Sequence, residues 1–262
     1  MRYVSLDRRG RDVGFQIVED AGCGPPSGDP ARPIDHPEPA MDLMRLLRSL
    51  EEFLYELVGW LVFYPRTFVR ILLRPGAIAR YTRLELARDE GAQFQDTISP
   101  VLMLILSVVL AHALEIAFRF TLPQMDSPMG RLLLGSEQGL LLTRSAFFCI
   151  YALGAALGTL RRERRPIMRE TLREPFSIQA FLVCPFVVLL SLGTLLMRSG
   201  EGGQAAVGAV IAIGICIWYI GARTAAYRAL HGGGWAAPLF SVCVWFAMTT
   251  FLVVVVGSLL VL

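Results

Sequence analysis

Residues 161–175 read RRERRPIMRETLREP and carry six arginines: Arg161, Arg162, Arg164, Arg165, Arg169 and Arg173. One long apolar run ends just before this stretch and another begins just after it. In a membrane protein, short loops rich in arginine and lysine stay on the cytoplasmic side. If the flanking runs cross a bilayer, this loop sets the direction of every other segment.

The runs do have the length for it. A helical span needs about 20 mostly apolar residues. Five stretches meet that need, at about 99–120, 139–160, 177–197, 205–223 and 237–261. The expected fold is therefore an all-α polytopic membrane bundle of five transmembrane helices. The chain as a whole agrees, with 54% hydrophobic residues among 262 and a mean hydropathy of +0.53. Arg119 and Arg131 flank the first outer loop and Arg198 the second, whereas the six-arginine loop and Arg223 with Arg228 fall inside. That alternation predicts a cytoplasmic N-terminus and an outside C-terminus.

Three regions follow from this reading. Residues 1–40 are rich in proline and glycine, lack apolar periodicity and are expected to be a disordered tail. No apolar core follows Arg2, so the tail does not read as a signal peptide, and Met41 or Met44 would serve as an alternative start. Residues 41–97 read as cytoplasmic and interfacial amphipathic helices. Leu43, Leu46, Leu47, Leu50, Phe53, Leu54 and Leu57 recur at helical spacing. Pro65 and Arg66 then interrupt the apolar run, and Trp60 and Tyr64 suit the headgroup level. A helix lying in the interface over 52–73 is expected, rather than a sixth span that would bury Arg66. A further helix is expected over 77–88, and Ser99-Pro100 marks the start of the first span. The spans occupy 98–262.

Within the spans, Gly154-Ala155-Ala156-Leu157-Gly158 offers a face of small residues for close packing. Gly208 with Ala212, and Gly214 with Gly221, do the same in the fourth run. Pro185 removes one backbone donor from the third and should kink it. The five cysteines form no C-x-x-C pair, and neither a cofactor nor a metal is called for. His231-Gly232-Gly233-Gly234 would resemble the oxyanion loop of lipases only beside a G-x-S-x-G elbow, which the chain lacks. The net charge of +3 is too small to point to nucleic acid.

Charged groups inside spans are costly and rarely face lipid. His112, Glu115 and Arg119 share one face of the first span. Glu115 and Arg144 each lie about five residues from the outer end of their spans, hence ~7–8 Å deep at ~1.5 Å per residue. They are the natural ion pair, with His112 deeper and Arg119 at the rim. The site reads either as a polar relay for protons or ions, or as an ion pair that holds helix register. His112-x-x-Glu115 could offer two metal ligands, but no second acid–histidine set accompanies it. On the inner side, Arg66, Arg70, Arg74 and Arg80, with Arg161, Arg162, Arg164, Arg165, Arg169 and Arg173, form a basic face suited to anionic lipid headgroups.

Asp96-Thr97-Ile98-Ser99-Pro100 ahead of the first span is similar to the Asp…Pro entry of the Yip family. Ala180-Phe181-Leu182-Val183-Cys184-Pro185 is similar to that family's proline-containing middle helix, and Leu230-His231-Gly232 sits between the last two spans. In this order, over about residues 60–262, the chain resembles the bacterial branch of the Yip family, five-span proteins named for interaction with Rab-type GTPases. The Tyr-Gly pair of the eukaryotic entry motif is missing. The resemblance implies a non-enzymatic adaptor or organiser of the bacterial inner membrane, with a protein partner or a second copy of itself, and brings no catalytic residues. The absence of lysine among the 25 basic residues fits a GC-rich bacterial genome. The alternative is a small-solute or ion permease built on His112, Glu115 and Arg144, although five spans do not divide into two equal repeats.

The topology is open to a direct check. Reporter fusions after Leu262 and within residues 75–95 are expected to report opposite sides of the membrane. A cytoplasmic signal after Leu262 would falsify that arrangement.

Overall fold

In a computed structural model, residues 39–89, 93–94, 97–118, 130–131, 133, 135–198 and 202–261 are described. The expected tail at 1–40 thus lies almost wholly outside the described residues. Among those described the secondary structure is helical, without strands. The helices are α1 (Pro39–Leu73), α2 (Pro75–Leu86), α3 (Pro100–Ala117), α4 (Glu137–Arg162), α5 (Arg169–Arg198), α6 (Gly202–His231) and α7 (Ala236–Val261). Five of them, α3 to α7, are long and apolar enough to cross a membrane. The chain divides into two units, residues 1–50 and 51–262, and the bundle belongs to the second.

The centre of that unit is α5, which packs against α2, α3, α4 and α6. Every residue from 177 to 188 is buried. A helix that is apolar all round belongs in an interior, and here Ala180, Phe181, Leu182, Val183 and Val187 have no exposed surface. The helix continues through Pro185, whose missing N–H leaves the Phe181 carbonyl without its usual donor. Around Phe186 the rings of neighbouring helices close in. Tyr219 of α6 stacks on it at 4.7 Å, with Tyr151 of α4 at 5.4 Å and Phe246 of α7 at 6.1 Å. These offset and edge contacts fill the middle of the bundle with ring surface. By contrast, α7 packs mainly on α4 and α6, and reaches α5 through Phe246. Phe240, Phe251 and Val254 on its other side stay largely exposed, a surface suited to lipid.

Close helix approach relies on small residues, as expected, but not on all of those read from the sequence. Gly158 lies under the Trp245 ring and Gly154 against Thr249, so this face receives α7. Gly208 meets Gly193 of α5 backbone to backbone. Gly214 and Gly221, by contrast, have open space where a Cβ would stand, so they are not packing residues.

Two boundaries shift furthest from expectation. The third span begins at Arg169 rather than 177, and the fourth ends at His231 rather than 223. The extensions are held from outside by α2, whose Ile78, Ala79 and Thr82 are fully buried. Arg83 of α2 pairs with Glu174 at 2.5 Å and reaches the Leu230 carbonyl at 3.4 Å. Backbone hydrogen bonding thus continues past the apolar run wherever a partner covers the helix. α1 continues as a single helix through Pro65, over the whole of the stretch expected to be helical. Thr67 and Ile71 are buried, Tyr64 hydrogen-bonds to Ser107 at 3.0 Å, and Trp218 donates to the Leu72 carbonyl at 3.0 Å. Burial pushes the Tyr64 phenol up to about 12. A proline inside a helix costs about 3 kcal/mol, and this packing offsets it.

The glycines separate contact from coincidence. A methyl at Gly208 would stand 2.5 Å from the Gly193 carbonyl oxygen and 2.7 Å from the Met197 nitrogen. Gly208→Ala is therefore expected to destabilise the bundle by about 1–3 kcal/mol. Gly214→Ala meets nothing and should be neutral or stabilising by about 0.5–1 kcal/mol. Thermal unfolding in detergent compares the two, and equal effects would show that α5 and α6 do not meet at Gly208.

Candidate functional site

Polar side chains gather at the two ends of the bundle. At one end, Glu115 stands in the last turn of α3, and Arg144 about two turns into α4. Arg144 donates from Nη1 to Glu115 Oε2, so the two residues meet as an ion pair. Glu115 is nearer its helix end than expected, because α3 stops at Ala117. The pair lines a cleft of about 480 Å³ together with Thr194, Leu195 and Arg198 of α5. Arg198, read from the sequence as a loop flank, is thus part of this site. His112 does not line the cleft, and its buried Nδ1 has no hydrogen-bond partner. Arg119 lies outside the described residues. Among the described residues no three His, Cys, Asp or Glu side chains are placed to hold a metal ion.

At the opposite end the α4–α5 and α6–α7 loops come together with α2. His231 lies 3.1 Å from Glu163, and Arg162 donates to the Ala237 carbonyl at 2.8 Å. Gly232 and Gly233 take positive φ of 71° and 87°, which close α6 with a glycine turn. Arg228 lies over the Trp235 ring at 4.0 Å across that turn.

The ten arginines of the expected basic face divide in the structure. Arg66, Arg70, Arg74 and Arg80 are exposed, with Arg70 over the Tyr81 ring at 4.8 Å. Arg161, Arg164, Arg165, Arg169 and Arg173 are exposed too. Arg165 lies 3.6 Å from Glu163, and Arg173 donates to Gln93 at 3.1 Å. Only Arg162 turns inward, half-buried with its guanidinium over the Tyr227 ring at 5.0 Å. Ile167 and Met168 are exposed at the tip between the arginines, an apolar point in a basic loop.

Arg223, read from the sequence as the inner end of the fourth run, lies two turns inside α6 and is only 4% exposed. The signal was present in the spacing, because Tyr219, Arg223 and Tyr227 share one helix face and the apolar pattern runs on to Leu230.

No protein-family model, no curated protein and no solved structure matches this chain.

The ion pair gives a measurable expectation. Side-chain exposure is 8% for Glu115 and 22% for Arg144, so either residue left alone is poorly solvated. Glu115→Gln or Arg144→Gln is expected to cost about 3 kcal/mol, the low end for breaking a buried pair, because Arg144 keeps some access to solvent. The double variant should lose less than the sum of the two. Thermal stability of all three variants in detergent is the test, and strictly additive losses would mean that the pair is not coupled.

Proposed function

We propose that this chain is a non-enzymatic integral membrane protein of the Yip type, acting as a membrane organiser or as a subunit of a membrane complex. It would sit in the bacterial inner membrane with its basic end cytoplasmic and its C-terminus outside. One observation carries this reading. The two polar ends are separated by the packed rings of Tyr151, Phe186, Tyr219 and Phe246. Within one chain, that filling leaves the polar cleft beside Glu115 at one end and the arginine-rich loops at the other. A scaffold anchored in lipid needs no more than this. The exposed arginines on α1, α2 and the α4–α5 loop suit an anionic leaflet, at about 1 kcal/mol per arginine near the surface.

The cleft formed by Glu115, Arg144 and Arg198 favours a second reading, a permease in which several copies complete a pathway. Reconstitution separates the two. In proteoliposomes the organiser should leave proton and ion flux at the level of empty vesicles. In mild detergent its native mass should exceed that of a monomer plus bound detergent and lipid. Flux above empty vesicles that disappears in Glu115→Gln would decide for the permease.

A further inference from the structure

We propose that the cleft between α4, α5, α6 and α7 at the basic end binds one phosphate-type oxyanion, gripped by Arg162 and Arg223. The cleft is a half-open space of about 300 Å³, open solvent included, lined by Arg162, Arg223, Gln179, Thr159, Ser241 and Trp245 among others. No aspartate or glutamate lines it. Elsewhere in the described structure the buried carboxylates are matched by cations, Glu85 by Arg88 and Glu115 by Arg144. Two guanidinium groups here share a cleft with no anion.

The unsatisfied atoms point the same way. Arg223 is 4% exposed, and its Nε makes no hydrogen bond. Its described neighbour is the Tyr219 ring, 5.5 Å from the guanidinium carbon, and the Tyr219 hydroxyl also lacks a partner. Arg162 uses Nη1 on the Ala237 carbonyl, but its Nε is buried and unbonded. Gln179 is 6% exposed with an unpartnered Oε1. Which amide atom faces the cleft is fixed only by what it bonds, so a flip would present the NH₂ to an acceptor. Burying a charge without a counter-charge is strongly unfavourable. An acceptor placed between the arginines satisfies several of these groups at once.

A phosphate-type oxyanion fits best. Its oxygens accept from planar guanidinium forks in pairs, which a single spherical ion does not. The site lies toward the arginine-rich end of the bundle. Arg162 is the last residue of α4, and Arg223 stands eight residues before the end of α6, about 12 Å along the axis. The oxyanion could come from a phospholipid headgroup or from free phosphate, and the chemistry of the grip is the same. This goes beyond the organiser reading and does not depend on it.

The test uses the full chain in detergent, titrated with inorganic phosphate against sodium chloride of equal ionic strength. In parallel it uses nanodiscs of phosphatidylglycerol against phosphatidylcholine. Wild type is expected to gain thermal stability in at least one arm, with phosphate alone marking a free anion and phosphatidylglycerol alone marking a lipid. Arg162→Gln, at a half-exposed position that should still fold, is expected to weaken that binding about tenfold or more, the scale of one charge-assisted hydrogen bond. Arg223→Lys keeps the charge, loses the fork and should also weaken it. No stabilisation in either arm, or undiminished response in both variants, overturns the proposal and leaves the cleft to water.

Discussion

The structure depends on the burial of α5. Over residues 177–188 this helix shows no face to its surroundings, so neighbours must cover it on every side. α3, α4 and α6 cover it along the apolar length, and α2 covers its polar beginning. The remaining span, α7, then rests mainly on α4 and α6. This explains why the most apolar sequence in the chain is not its core. In a bilayer a helix gains nothing by hiding apolar surface from lipid, so packing rather than hydrophobicity chooses the centre. Small residues at Gly193 and Gly208 let α5 and α6 approach backbone to backbone.

The same arrangement sorts the charges. Placing a guanidinium among the rings at mid-bundle carries a large desolvation cost. Most charged side chains accordingly collect at the two ends, where helix termini and loops provide partners, whereas Arg223 lies buried beside the Tyr219 ring. At one end the Glu115 carboxylate is met by Arg144, with Arg198 on the same cleft. At the other, Glu163 and Glu174 tie the two loops to each other and to α2. Those ion pairs are half-exposed and individually weak. Their contribution is geometric, since they hold α2 across the extended ends of α5 and α6.

The amino-acid sequence by itself determined that the chain is a helical bundle with five helices fit to span a membrane. Span length and apolar composition are local properties, set by bilayer thickness and the rise of a helix, and need no knowledge of neighbours. It also placed Glu115 and Arg144 together, because a short connection makes consecutive helices neighbours and lipid excludes a lone charge. Only the tertiary structure decided the rest. Polar helix ends at 169–176 and 224–231 look like loops until α2 lies against them, so the boundaries moved. Gly208 and Gly214 are equivalent as letters, but one faces a neighbouring backbone and the other open space. Arg223 reads as one more basic residue near a turn. It became a buried, unpaired charge because the face it shares with Tyr219 and Tyr227 turns inward, and the direction of a face is set by every helix around it.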